Sequence, residues 1–503
     1  MIGNEKRSVL CRWGSVLIFT LLLMLGLAVS YDVYYDLNDD TVIKDIISGT
    51  FTGTPSGYSI QMLYPLSWVL AVLYTAIPGV AWYGLFLCMC QFGALALIAW
   101  RLLEITGNKR WWFVLLVVEG IIANGLLLRY FVFVQYSVTS AMCMMAAIFW
   151  YTTSAKTNNW LVELKQNAVA ILFLWISFQI RTELCVMLLP FLCVAGLIKW
   201  STEEKIFEMK QVKKYLSLIM TALAGMLLFY MLDACAYRLT DWKDFRAFFD
   251  ARTEVYDFYG IPSYQEHETF YQTIGLTEAS YELLNNYNFS LDENINTQMM
   301  ESIANYQKEQ AKAGQGLYSV LGFTCKQSPR EALWCYKEYL MSKPVYLVYA
   351  AYMLYFLLAC GRKKSGWSWK LLLLFTIRSV LWLYLFMVDR AIERVTLPLV
   401  LGEFAVLIGW VIQEFKVQYA MEEGTRSGLA KKLTHVKLCG AVMILLLCGI
   451  VCVMINATQT GQEYEKRLVA NARWDALIAY CEAHKDGFYS VDVYSSTSYQ
   501  GAA

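Results

Sequence analysis

The chain is short of charge. Only 17% of its 503 residues are Asp, Glu, Lys or Arg, against 58% hydrophobic, and the formal net charge is +1. A chain so composed cannot cover itself with polar surface, so a water-soluble globular enzyme is excluded, and no nucleic-acid partner is expected. Paired cysteine motifs are missing too. None of the fourteen cysteines lies in a C-x-x-C pair, and Cys88, Cys90, Cys143, Cys193, Cys439 and Cys448 sit inside apolar blocks, where a thiol is a small hydrophobe. A zinc centre and a disulfide framework are therefore not expected, with one bridge left open to Cys325 and Cys335. Nor does a convincing internal repeat run along the chain, as it does in many transporter folds.

What is present is apolar sequence in blocks of roughly 17 to 22 residues, the length that spans about 30 Å of hydrocarbon. The fold class is an all-α polytopic membrane protein with about eleven transmembrane helices. Orientation follows from Lys and Arg in the short loops, which favour the cytoplasmic side. The clusters Lys6/Arg7/Arg12, Arg101/Lys109/Arg110, Lys156/Lys165, Lys199 to Lys214, Arg362/Lys363/Lys364/Lys370 and Lys416 to Lys437 are assigned there. The spans between them run near 13–31, 80–101, 111–128, 130–151, 167–181, 184–199, 215–233, 344–360, 371–388, 395–413 and 437–455. A multi-pass cell-membrane protein results, its N-terminus cytoplasmic and its C-terminus extracytoplasmic. Lys6 and Arg7 before an apolar run ending in Ala28-Val29-Ser30 imitate a signal peptide, but the run exceeds the usual length of one and reads as the first span.

One apolar block does not fit as a crossing. If "YPLSWVLAVLYTAI" (64–77) spanned the membrane, Arg101 to Arg110 would fall outside, against the charge rule. A juxtamembrane helix lying in the outer interface removes the conflict, with Tyr64, Trp68 and Tyr74 at the headgroups and Pro78-Gly79 ending it. Four regions follow. An N-terminal transmembrane module (1–233) carries an acidic outer loop (31–63) and the interfacial helix (64–77). A small extracytoplasmic helical segment (234–343) precedes the C-terminal transmembrane helices (344–455). The extracytoplasmic tail (456–503) reads as an amphipathic helix and a strand at 488–494. A lone strand is unstable, so it either pairs with the outer segment or belongs to a truncated domain.

Chemistry concentrates outside. The first outer loop, "YDVYYDLNDDTVIKD", has Asp39 and Asp40 adjacent just beyond the first span, and "ISGTFTGTPSGYS" after it reads as a mobile connector or a plain linker. A late outer turn, "MVDRAIERVTLPL", supplies Arg390 and Arg394, and the turn at 181–183 supplies Arg181. A partly desolvated carboxylate suits a general base, and two together also suit a divalent cation, Mg or Mn. Guanidinium forks suit phosphate. The plainer alternatives are a solvated acidic loop that marks topology, and rim ion pairs of Arg390 and Arg394 with Asp389 and Glu393. Within the spans, Arg378 and Glu403 lie at matching depths and read first as a structural ion pair; Glu119 has no evident partner in the sequence.

The "DLNDD" loop, the "YPLSWVLAVLY" element and the late "VDRAIERVTLP" motif together resemble the GT-C superfamily of integral-membrane glycosyltransferases, most nearly uncharacterised bacterial members and the GtrII-like glucosyltransferases. The resemblance covers the architecture through short motifs. It implies an inverting hexosyltransferase taking a sugar from a polyprenyl-phosphate donor to a glycan, lipid or protein acceptor of the cell envelope, among membrane lipids. Asp39 and Asp40 would be catalytic, and Arg394, Arg390 and Arg181 would bind the donor phosphate. A polysaccharide polymerase or ligase, and a lipid-linked-sugar transporter or flippase, are the rival readings.

Overall fold

In hydrocarbon every backbone N–H and C=O needs a partner within its own segment, so apolar blocks become helices. The computed structural model describes residues 2–489 apart from 37, 107–108, 313–317, 321–322, 342–344, 361–365 and 424–427. Arg362 to Lys364 and the part of the expected strand beyond Tyr489 thus lie outside the described residues. Helix α1 (Ile2–Ser30) leads through a short strand, β1 (Tyr34–Tyr35), to α2 (Asn38–Ser48), α3 (Tyr64–Ala76), α4 (Trp82–Thr106) and α5 (Trp112–Val132). Strand β2 (Phe133–Val134) follows, then α6 (Tyr136–Thr153), α7 (Trp160–Ile180), α8 (Thr182–Ser201) and α9 (Met209–Arg238). Next come α10 (Trp242–Thr253), α11 (Glu268–Thr273), α12 (Glu278–Asn285), α13 (Thr297–Lys312), the hairpin β3 (Tyr318–Val320) and β4 (Phe323–Cys325), and α14 (Pro329–Tyr339). The chain closes with α15 (Val345–Ala359), α16 (Trp367–Met387), α17 (Glu393–Glu423) and α18 (Gly428–Ala483).

Among the described residues nine helices are long and apolar enough to cross a membrane: α1, α4, α5, α7, α8, α9, α16, α17 and α18. The chain is an all-α, multi-pass membrane protein. The other two expected crossings fall on α6 and α15. Helix α15 has 15 residues, about 22 Å of rise. Helix α6 is diluted by Ser137, Thr139, Ser140, Thr152 and Thr153.

The chain divides into two compact units, Met1–Tyr230 with Ser342–Arg378 and Glu393–Ala503, and Met231–Met341 with Ser379–Ile392. In the first, α6 is central, buried without interruption from Tyr136 to Phe149 and packed on α4, α7, α8 and α17. That position explains several of its hydroxyls, which find partners on neighbouring elements instead of meeting lipid. Ser140 Oγ lies 2.9 Å from Ser177 Oγ, and Thr139 Oγ1 accepts from Gln91 Nε2 at 3.0 Å. At Gly409 a Cβ would come within 2.5 Å of Thr152 Cγ2, so α17 approaches α6 this closely only because a glycine is there.

Helix α3 has 13 residues, about 20 Å, well short of the hydrocarbon thickness. Pro65 starts it, where a missing N–H costs nothing. Trp68, Val69 and Val72 are exposed, while Ser67, Leu70, Ala71 and Tyr74 are buried. Tyr74 is therefore not a headgroup residue as expected; its hydroxyl accepts from the Tyr83 N–H at 3.1 Å within the core. The connector before α3 is docked as well. Ser67 Oγ donates to the Gly57 carbonyl at 2.5 Å, and a Cβ on Gly57 would meet the Trp68 backbone at 2.9 Å. Helix α18 likewise departs from expectation. The last span and the tail helix are one continuous helix of 56 residues, about 84 Å long, far more than one hydrocarbon layer can take.

The second unit has a core of its own, formed by Val255, Tyr271, Leu284, Met300 and Ile303 among others. Around it Tyr256 stacks on Tyr287 with centroids 4.5 Å apart, while Phe245 is exposed. Cys325 and Cys335 are not bridged to each other, so the disulfide left open to them is not formed.

Candidate functional site

The acidic loop is placed by a two-residue parallel ladder, β1 on β2, which registers Tyr34 with Phe133 and Tyr35 with Val134. The Asp36 N–H continues it to the Val134 carbonyl at 2.9 Å. The acidic stretch is thereby fastened to the α5–α6 turn, and α2 begins directly after it with Asp39 and Asp40 in its first turn. Acids are favoured there by the helix dipole.

Three aspartates then meet three environments. Asp36 is buried and ion-paired, its Oδ1 2.8 Å from Arg129 Nη2 and 3.5 Å from Arg467 Nη2. Asp40 is completely buried, and its Oδ1 accepts from the Tyr83 hydroxyl at 2.8 Å and from the Tyr136 N–H at 3.0 Å. Burial pushes the Asp40 carboxyl well above the ordinary carboxylate range, outweighing the two hydrogen bonds that pull it down. Asp39 remains about one-third exposed, with Oδ2 3.7 Å from Arg394 Nη1. Successive helical residues point about 100° apart, so α2 turns Asp40 into the core and leaves Asp39 accessible.

Arg394, in the first turn of α17, is also about one-third exposed, and its Nε is buried without a hydrogen-bond partner. Arg181 sits in extended backbone between α7 and α8. It donates to the Tyr136 hydroxyl at 2.9 Å and to Ser137 Oγ, and its guanidinium lies 5.1 Å over the Tyr136 ring. The Tyr136 phenol in turn donates to Gln61 Oε1 at 3.5 Å and feels the charges of Arg181, Asp39, Asp40 and Arg394. An accessible carboxylate and two guanidinium groups thus share Tyr136 as neighbour. A base next to an anion-binding fork is what this arrangement offers chemically.

The other expected residues have contacts of their own. Arg390 belongs to the second unit, where it pairs with Asp257 at 3.2 Å and lies over Phe258. Arg378 Nε lies 3.1 Å from Glu403 Oε2, both side chains almost fully buried, and Glu403 also accepts from Tyr352 at 2.7 Å. Glu119 is buried in the wall of an apolar cavity of about 270 Å³ lined by α4, α5, α6, α15, α17 and α18, whose lining includes neither Asp39 nor Arg394. Of the two residues expected to share a cation, Asp39 is accessible and Asp40 is not. Asp40 is sealed in the core with Oδ1 already engaged, and among the described residues no three His, Cys, Asp or Glu side chains come together as a metal site.

Sequence reading missed Tyr83, Tyr136 and Arg467. Tyr83 and Tyr136 sit within apolar blocks, where a phenol looks like one more core aromatic. Arg467 did carry a signal, standing three residues after Tyr464 on one face of the tail helix. No protein-family model matches the chain, and neither the curated proteins nor the solved structures compared with it give a match.

Proposed function

We propose that the chain is a GT-C-type glycosyltransferase that moves a sugar from a polyprenyl-phosphate carrier to a cell-envelope acceptor at the outer face of the membrane. In this reading α6 and α15 complete about eleven crossings, α3 lies in the outer interface, and the N-terminus is cytoplasmic. The observation that carries it is the separation of roles among the three aspartates. Asp36 and Asp40 are tied into the scaffold, and Asp39 alone stays accessible, beside Arg394 and near Arg181.

The steps follow from that geometry. An acceptor hydroxyl oxygen attacks the anomeric carbon from the face opposite the phosphate, giving inversion, while Asp39 takes the hydroxyl proton. The bond from the anomeric carbon to the phosphate oxygen breaks, and its electron pair leaves with the phosphate. Arg394 and Arg181 stabilise the charge that develops there, where electrostatic help counts most. The base stays near the end of α1 because the anomeric carbon of a lipid-phosphate sugar lies within a few ångströms of the headgroups.

Mass spectrometry of envelope glycans from cells with and without the protein tests the proposal. A sugar substituent lost with the protein and restored by re-expression supports it. Glycans of unchanged composition but shortened length point to a polymerase, and unchanged glycans refute sugar transfer.

A further inference from the structure

The acidic segment has little structure of its own. Its ladder is two residues long, too short to be stable unaided, yet three residues after Asp36 it must present Asp39 to Arg394. The missing support comes from the far end of the chain. On α18, Arg467 directs Nη1 to the Tyr35 carbonyl at 2.9 Å and Nη2 to the Asp36 carbonyl at 3.0 Å, with Asp36 Oδ1 3.5 Å from the same Nη2. Its Nε is held by Glu463 Oε1 at 3.1 Å, one turn earlier, and its guanidinium lies 4.3 Å over the Phe133 ring. One side chain thus grips both strands of the ladder. Tyr464 extends the contact by donating to Asp32 Oδ2 at 3.0 Å, accepting from the Asp32 N–H at 3.2 Å and setting its ring against Tyr31 and Tyr34.

We propose that Arg467 is a positioning residue for the reaction: α18 reaches past its membrane-spanning part to clamp the segment that carries the base, and so sets the distance between Asp39 and Arg394. This rests on the reading of Asp39 as the base. The two carbonyls are adjacent along the backbone, so a planar fork reaches both at once, whereas a lysine ammonium offers a single point of charge. Arg129 is not a substitute. It holds the Asp36 carboxylate at 2.8 Å, while Arg467 also holds the main chain.

The test uses the full-length chain in detergent and in isolated membranes, with two independent readouts. Arg467→Ala should speed amide hydrogen exchange across residues 31–36 about tenfold or more, leave exchange in α6 unchanged, and lower the turnover of sugar transfer far more than it raises the KM for donor. Arg467→Lys should recover part of both effects. Unchanged exchange in Arg467→Ala refutes the clamp whatever the enzyme does, and faster exchange with unchanged turnover refutes positioning. Asp39→Asn, assayed alongside, separates the two ideas: full activity there removes the catalytic reading, while the exchange result still decides the clamp.

Discussion

Adjacent residues of identical chemistry do different work in this chain because a helix turns them to different surroundings. Asp39 and Asp40 look equivalent in "NDD", and only the packing of Tyr83 and the Tyr136 N–H on Asp40 separates them. Burial raises the folded-state titration of Asp40, while the unfolded chain titrates near 3.9. Below about pH 4 both states hold the proton and the stabilisation is complete; as pH rises towards the raised folded value the unfolded chain releases its proton first and stability falls. Asparagine mimics the protonated acid without titrating. Asp40→Asn should therefore melt increasingly above the wild type as the pH of a detergent-solubilised sample rises from about 4 to 8, and parallel melting curves across that range would contradict the assignment. The basic clusters carry a similar lesson. Lys199 and Lys214 served as orientation signals, yet both are buried and paired, with Glu163 at 3.2 Å and Glu203 at 2.7 Å. A sequence window cannot reveal the partner because it comes from another helix or loop.

At the scale of elements, helices were legible because apolar length is written along the chain. The pairing of Arg378 with Glu403 was legible too, since equal depth on consecutive antiparallel spans brings two charges to one level. The partner Tyr352 was not, because α15 lies far off in sequence. Arg378→Met alone should cost on the order of 3 to 5 kcal/mol by stranding the Glu403 carboxylate. The double variant Arg378→Met, Glu403→Gln keeps an acceptor for Tyr352 without a charge, and should regain folded protein measured by size-exclusion chromatography. Equal yields for the single variant and wild type would show that the pair contributes little. The seam between span and tail in α18 was illegible, since Gly461 stands near it and the helix nevertheless runs through without a break. Helix α3 gives a third test. Impermeant thiol reagents applied from outside should label Phe51→Cys and Gly79→Cys alike, both positions being exposed or open to a side chain. Labelling at only one of them would make α3 a crossing and reverse the orientation of what precedes it.

At the scale of the molecule, the late motif "VDRAIERVTLP" is cut by the boundary between the two units at Ile392 and Glu393. That division was hidden in the sequence, where Arg390 and Arg394 look like twins: Arg394 lies beside Asp39, and Arg390 pairs with Asp257 within the second unit. The central claim is that one accessible aspartate and its neighbouring arginine perform glycosyl transfer. The most direct measurement is sugar transfer from a polyprenyl-phosphate donor in isolated membranes holding equal amounts of wild type, Asp39→Asn, Arg394→Ala and Arg394→Lys. The account predicts a loss of about 10²-fold or more for Asp39→Asn, the size expected for a missing general base. It predicts a similar loss for Arg394→Ala and partial recovery for Arg394→Lys, which restores charge without the fork. Full transfer by Asp39→Asn would contradict it and leave the acidic loop as a structural and topological feature.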